Sequence, residues 1–291
     1  MTGLTERPRI GLVGVGKMGR ALATRLLSCG VEVFGCDPAA QNPPDGLQFV
    51  ATPRQLADCC DVVMGCVSGQ EAFREVTLGP NGIRGGTRVH TYANVGTTGP
   101  SLVKEIAHGL AEVDIRTIDV PMTGGPRRAA RGEVTVIASG PLKVLQAVSP
   151  TLEKYSSKIV YVGPGVGQAQ YVKVINNLVT AGNLAVAIEA LTLAKKATIS
   201  RELLLEVINS GSAASDVSTS KIPSHVLTRT FDFGASLALV DHDLSCCLHE
   251  ARLIDCEMRV SKAVLDVYRS AIEAGSALDD ITTLAVYLEN R

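Results

Sequence analysis

The chain carries no excess of either charge: 28 Lys and Arg stand against 29 Asp and Glu, a formal net charge of −1. That removes any global electrostatic case for nucleic acid or an anionic membrane as partner. Its eight cysteines show no CxxC spacing. Two pairs are adjacent, Cys59–Cys60 and Cys246–Cys247, which suits neither a disulfide framework nor a zinc ribbon. Free thiols in a reducing cytoplasm are the economical expectation. The opening residues, MTGLTERPRI, lack the basic and apolar regions of a secretion signal. Internal repeats and low-complexity linkers are missing too. The most apolar long stretch, LVTAGNLAVAIEALTLA, is broken by Asn183 and Glu189, so it reads as a buried helix and not a membrane span. What is present is apolar substance: 46% of 291 residues. This is enough for one large domain or two ordinary ones, and too much for a disordered chain.

The first half alternates short β-rich runs with helical patterns, the rhythm of a parallel sheet covered by helices. RIGLVGV (9–15), VEVFGCD (31–37), DVVMGCV (61–67), TRVHTYA (87–93), DIRTIDVPM (114–122) and EVTVIAS (133–139) read as strands. MGRALATRLLSCG reads as a helix closed by Gly30. Thr52-Pro53-Arg54-Gln55 has the form of a capping box with proline at the first helical position. From about residue 166 the strands stop. Gly167 to Ala197 reads as one long helix, apolar nearly all round. Helices follow after Ser200, a candidate N-cap, then over 237–255 and 258–274. The expected fold is α/β. A Rossmann-type doubly wound sheet fills residues 1–164, and an all-helical substrate and dimerisation domain fills 165–291. The long helix should join them, buried because it serves both.

GVGKMG (14–19) has the G-x-G-x-x-G form. The motif follows an apolar strand and opens a helix, and Asp37 closes the next strand about twenty residues on, as a dinucleotide fingerprint requires. Gly14 makes the tight turn, Gly16 lets backbone N–H groups approach a pyrophosphate, and Gly19 packs the helix close. Gly14, Val15, Gly16, Lys17, Met18, Gly19 and Asp37 are the candidate cofactor residues. Asp37 should accept hydrogen bonds from ribose hydroxyls and repel a 2′-phosphate, which favours NAD over NADP. The plainer alternative is a glycine turn with no ligand.

VKVINN (172–177) puts Lys173 and Asn177 four residues apart, on one face of the long helix. An alcohol-oxidising nicotinamide enzyme needs a group to take the hydroxyl proton. A lysine serves if desolvation or a nearby positive charge brings it toward neutrality. Asn177 would hold the lysine or the substrate oxygen. The competing reading is a snorkelling lysine with its head in water.

Taken together, several segments resemble the β-hydroxyacid dehydrogenases, the family of 3-hydroxyisobutyrate dehydrogenase and tartronate semialdehyde reductase. GLVGVGKMGRAL resembles the opening fingerprint, and IDVPMTGGPRRAARGEVTVIASG (118–140) the D-x-P-V-S-G-G substrate motif. VGQAQYVKVINN resembles the helix of the catalytic lysine. VDHDLSCC (240–247) sits at the K-D-L motif and GSALDDITTL (275–284) at the C-terminal segment. The resemblance implies that Lys173 is the general acid/base and that Asn177 assists it. It implies that Thr123, Gly124 and Gly125 hold the substrate carboxylate, glycines freeing amides to converge on an anion, with Asn176 beside them. Val67, Ser68, Thr97 and His242 would line the cofactor. Domain motion around the long helix would close the site.

Four departures stand out. Thr123 replaces the family serine and narrows the pocket by a methyl. The G-x-G-x-x-x-K spacing is stretched by two residues between Gly167 and Lys173, so the loop into the helix should differ. Gly96-Thr97 replaces a Ser-Thr pair. His242 replaces the lysine of K-D-L, turning a constant cation into one that titrates near neutrality. Arg127 and Arg128 follow the substrate motif, where Arg127 is a candidate clamp for a second anionic group; a solvated turn is the alternative. His242, Cys246 and His249 share a helical face, but no fourth ligand accompanies them, so no metal is expected.

The expected protein is a cytoplasmic oxidoreductase, a homodimer or homotetramer, acting on a small hydroxyacid or its semialdehyde or keto form. Three rivals remain. An imine reductase typically carries aspartate or tyrosine in place of Lys173. A decarboxylating relative would be longer. A non-catalytic NAD-binding regulator or scaffold would lack the lysine–asparagine pair.

Overall fold

The computed structural model describes residues 8–40 and 43–291. Residues 1–7, where the absence of a secretion signal was read, lie outside it. Six parallel strands lead: Ile10–Val13 (β1), Val33–Cys36 (β2), Gln48–Phe49 (β3), Val62–Gly65 (β4), Thr91–Asn94 (β5) and Arg116–Asp119 (β6). Met122–Thr123 (β7) and Val134–Ser139 (β8) pair antiparallel, β8 also meets β6 antiparallel, and Ser156–Gly163 (β9) runs parallel to β8. Among the described residues they form one sheet ordered β3-β2-β1-β4-β5-β6-β8-β7, with β9 on β8. The chain reverses direction across the sheet between β1 and β4, the switch point where doubly wound sheets bind ligands.

The strands read as unbroken apolar runs because both faces are covered. Side chains alternate. In β1, Ile10 and Leu12 pack with Leu22 and Leu26 of the helix Lys17–Ser28 (α1). Val13 faces the other way, into a cluster with Leu56, Phe73 and Ile106. Those residues belong to the helices Pro53–Cys59 (α2), Gln70–Leu78 (α3) and Pro100–Ala111 (α4). Gly125–Arg131 (α5) and Leu142–Leu152 (α6) complete the layers. The capping box at Thr52 forms: its side chain accepts the Gln55 N–H at 3.1 Å, and Gln55 in return accepts the Ala51 N–H at 2.9 Å.

Local details depart from the sequence reading. DIRTIDVPM is two strands, not one, because Pro121 has no N–H to give the ladder and the chain turns there from β6 to β7. SSKIVYVG forms β9 although no strand was read in it. Its residues are exposed or half-buried throughout, so no clean alternation marks it. The two residues of β3 are both exposed and leave no signal.

By its contacts the chain divides after Lys173, later than residue 164. The reason is that the first turn of the long helix Gln168–Lys196 (α7) is bonded into the sheet unit. The second unit holds the rest of α7 with Arg201–Ser210 (α8), a π-helix over Val217–Leu227, Leu237–Leu253 (α9), Arg259–Ala271 (α10) and Leu284–Glu289 (α11). Ser200 caps α8 as its sequence suggests, accepting the Leu203 N–H at 3.2 Å. The π-helix was not expected; Pro223 lies inside it and reads in sequence as a breaker.

Helix α7 is not buried all round, which corrects the expectation. Val174, Leu178, Ala181, Leu184, Ile188 and Leu191, spaced three or four apart, form its inner stripe in the helical core. Tyr268 of α10 reinforces that packing by donating its hydroxyl to the Ala181 carbonyl at 3.0 Å. Val172, Ile175, Val179, Val186 and Leu193 form a second stripe that is exposed, Leu193 at 70%. One helix face suffices for one core. The outer apolar stripe therefore has no explanation within the chain.

Candidate active site

The glycine-rich turn connects β1 to α1 at the carboxyl edge of the sheet. Gly14 has φ +92°, and a Cβ there would collide with the Cys66 carbonyl; one at Gly19 would collide with the Gly14 carbonyl. A Cβ at Gly16 would meet nothing within 4 Å. Two of the three glycines are thus required by the protein's own packing, and the third keeps a space open at the N-terminus of α1. That terminus has no side-chain cap and no acidic residue in its first turn, so its leading amides suit an anion. The residues present fit a dinucleotide pyrophosphate.

Asp37 has a second role that the sequence did not suggest. Its Oδ2 accepts the Val15 N–H at 2.7 Å and its Oδ1 the Ala39 N–H at 2.9 Å. The carboxylate therefore fixes the turn. Each oxygen retains a second lone pair for a hydroxyl. Val67 and Ser68 follow β4, and Thr97 follows β5, on the same edge of the sheet as the turn. Lys17 and Met18 open α1.

The first turn of α7 is the most densely bonded part of the site. A helix start leaves its leading N–H groups without helical partners. Here β6 and β8 supply them. Ser139 Oγ accepts the Ala169 N–H at 2.9 Å, and Asp119 Oδ2 accepts the Gln170 N–H at 3.1 Å. The Gly167 N–H also bonds to Asp119. Oδ1 of Asp119 takes Gln170 Nε2–H at 2.8 Å and Asn94 Nδ2–H at 3.1 Å. Gln170 Oε1 in turn accepts the Thr98 and Gly99 N–H groups at 2.9 and 3.1 Å, and its Nε2 donates to the Gly96 carbonyl at 3.0 Å. Asp119, Gln170 and Asn94 are all fully buried. Burial pushes the Asp119 carboxyl up to about 6, while the N–H donors of Gln170, Asn94 and Gly167 hold it down. All of those partners are N–H donors, which favour the carboxylate form.

The residues between Gly167 and Lys173 lie in the helix. Gly167 takes φ +97°, a left-handed value that favours glycine, and α7 begins at once with Gln168. Lys173 and Asn176 are half-buried. Asn177 Nδ2 donates to the buried Asp243 of α9 at 2.6 Å, which orients the amide. His242, next to Asp243, is half-buried.

Thr123 ends β7, and the chain then passes Gly124 (φ +127°) and Gly125 (φ +72°) into α5. A Cβ at Gly125 would meet nothing within 4 Å. Arg127 is exposed on α5; Arg128 lies over Gly124, its Cδ 3.2 Å from where a Cβ would stand. Among the described residues no group of three His, Cys, Asp or Glu is placed to hold a metal. Burial pushes the Cys60 and Cys246 thiols up to about 12, which disfavours their thiolate forms.

Sequence reading missed Asp119, Asn94, Gln170 and Asp243 as functional candidates. Asp119 and Asp243 were legible only as letters of longer motifs. Gln170, a polar residue three before the lysine in an otherwise apolar helix, was the available signal.

Two family models cover the chain, meeting just after β9 and not at Lys173. A family model described as the NAD binding domain of 6-phosphogluconate dehydrogenase matches residues 9–163. A second, described as NAD-binding of NADP-dependent 3-hydroxyisobutyrate dehydrogenase, matches residues 167–288. An L-threonate dehydrogenase of Cupriavidus necator is 29% identical, over 93% of both chains. The solved 3-hydroxyisobutyrate dehydrogenase from Salmonella typhimurium superposes with a TM-score of 0.85 at 24% identity, covering 96% of this chain and 99% of that one. Psf3, solved with NADP+ and 2-OPP, gives 0.86 at 23%, with 96% and 99% covered. An imine reductase from Myxococcus stipitatus is more distant, at 0.65 and 19% over 97% and 100%.

Proposed function

The chain belongs to the β-hydroxyacid dehydrogenase family, and from that premise we propose how its own residues carry the reaction. It is an NAD(P)-dependent oxidoreductase acting on CH–OH groups. The substrate is a small β-hydroxyacid, interconverted with its semialdehyde or keto form, and Lys173 moves the proton. One observation carries this reading. Lys173 stands one turn beyond Gln170, whose amide is bonded to residues 96–99 on the edge of the sheet that bears the glycine-rich turn.

A nicotinamide cofactor, when bound, would supply the hydride acceptor; the remaining work falls to the chain. In oxidation the unprotonated Lys173 Nζ takes the hydroxyl proton, and in reduction the ammonium returns it to the carbonyl oxygen. The Thr123 hydroxyl and the amides of Gly124 and Gly125 bind the carboxylate. Asn177, oriented by Asp243, steadies the lysine or the reacting oxygen, with Asn176 beside it. Arg127 meets any second anionic group. An imine reductase is disfavoured by the lysine and by the weaker structural likeness. A scaffold without turnover is disfavoured because Lys173 and Asn177 are both present. Eight free thiols fit a reducing cytoplasm.

Lys173→Ala should lower kcat by about 10²- to 10⁴-fold while NADH binding is kept. The test is absorbance at 340 nm with 3-hydroxyisobutyrate, glycerate, hydroxybutyrates and sulfonated analogues. An undiminished rate contradicts the mechanism. Asp37, with no arginine between it and Arg54, should make NAD bind at least about tenfold more tightly than NADP; equal Michaelis constants for the two would refute this. The exposed stripe of α7 suits a second copy of the chain. Sedimentation should therefore find a dimer or tetramer at micromolar concentration, and a monomer would exclude it.

A further inference from the structure

We infer that Gln170 is a positioning residue. Held by Asp119, it sets the placement of Lys173 relative to residues 96–99, although its own amide touches neither substrate nor cofactor. This rests on the reading of Lys173 as the proton carrier. A side-chain amide has two acceptor lone pairs and two N–H donors, and Gln170 uses all four. Oε1 takes Thr98 and Gly99, and Nε2 serves Gly96 and Asp119. Only one orientation of the amide allows this, since a flip would set its N–H groups against two backbone N–H donors.

The residue is 0% exposed, so water offers no substitute partner. The same residue's backbone N–H is fixed to Asp119 at 3.1 Å. Main chain and side chain of one helical residue are thereby held from two directions. Lys173 follows three residues later, about 4.5 Å along a rigid helix axis. A shift at Gln170 therefore reaches the lysine almost undamped. Misplacing a reacting group by about 1 Å costs on the order of 10²-fold in rate. An apolar side chain would fill this buried turn just as well. Four directional bonds add register, which matters where a group must be aimed.

The test uses the full-length protein with NAD and whichever acid of the panel above turns over fastest. Gln170→Met keeps length and removes every amide bond. It should lower kcat at least about tenfold, with KM and the Kd for NADH changed less than threefold. Introduced into Lys173→Ala, the same change should leave the residual rate within about twofold, because residues that act through one another are non-additive. Asp119→Asn, near-isosteric, should give the same kcat-selective loss. It carries the test should Gln170→Met lower the yield of folded protein. A lower melting temperature with unchanged kcat per NADH-binding site would make Gln170 merely structural and overturn the inference. Equal fold-losses with and without Lys173 would overturn it too. Full activity of Lys173→Ala alone, or no turnover of any panel acid, would instead sink the underlying reading.

Discussion

Asp119 ends β6 beneath the first turn of α7, and its carboxylate receives N–H bonds from Gly167, Gln170 and Asn94. The positive end of the helix dipole and a buried negative charge meet there. Neither would be stable alone: a helix start without partners leaves amides orphaned, and an isolated buried carboxylate would not stay ionised. Together they fix where a 29-residue helix begins. That start determines the position of the lysine one and a half turns on. It also explains why the contacts divide the chain after Lys173 and not at the end of β9.

A second carboxylate performs a comparable task at the other end of the β1–β4 switch point. Asp37 ties the glycine-rich turn to the end of β2 by accepting the Val15 N–H. The turn is therefore held in shape by a residue at the end of the next strand, Asp37 after β2. Gly14 and Gly19 pack against carbonyls, and Gly16 keeps space. The pattern is economical: carboxylates at strand ends hold backbone N–H groups at a helix start in one case and in the turn that leads into a helix in the other.

Much of this was legible in the sequence for a physical reason. Buried parallel strands must be apolar on both faces, so β1 and β4 announce themselves; the glycine fingerprint and the Thr52 and Ser200 caps are short-range devices whose partners lie within a few residues. The bonds that place the lysine are of another kind. Asp119 and Gln170 are separated by 51 residues, as |i−j|, and Asn177 and Asp243 by 66. No local pattern encodes such pairings. Edge elements such as β3 and β9 escaped because little of them is buried. The outer stripe of α7 misled in the opposite sense, since its apolar residues resemble core but face outward.

The claim that Asp119 and Gln170 anchor the start of α7 is tested most directly by native-state hydrogen exchange. The amide of Gln170 should exchange as slowly as that of Leu178 in the helical core, roughly a thousandfold or more slower than an exposed helix end. Asp119→Asn should selectively accelerate it. If the Gln170 amide exchanges at the rate of a frayed terminus in the unaltered protein, the anchor does not exist and the placement of Lys173 must have another cause.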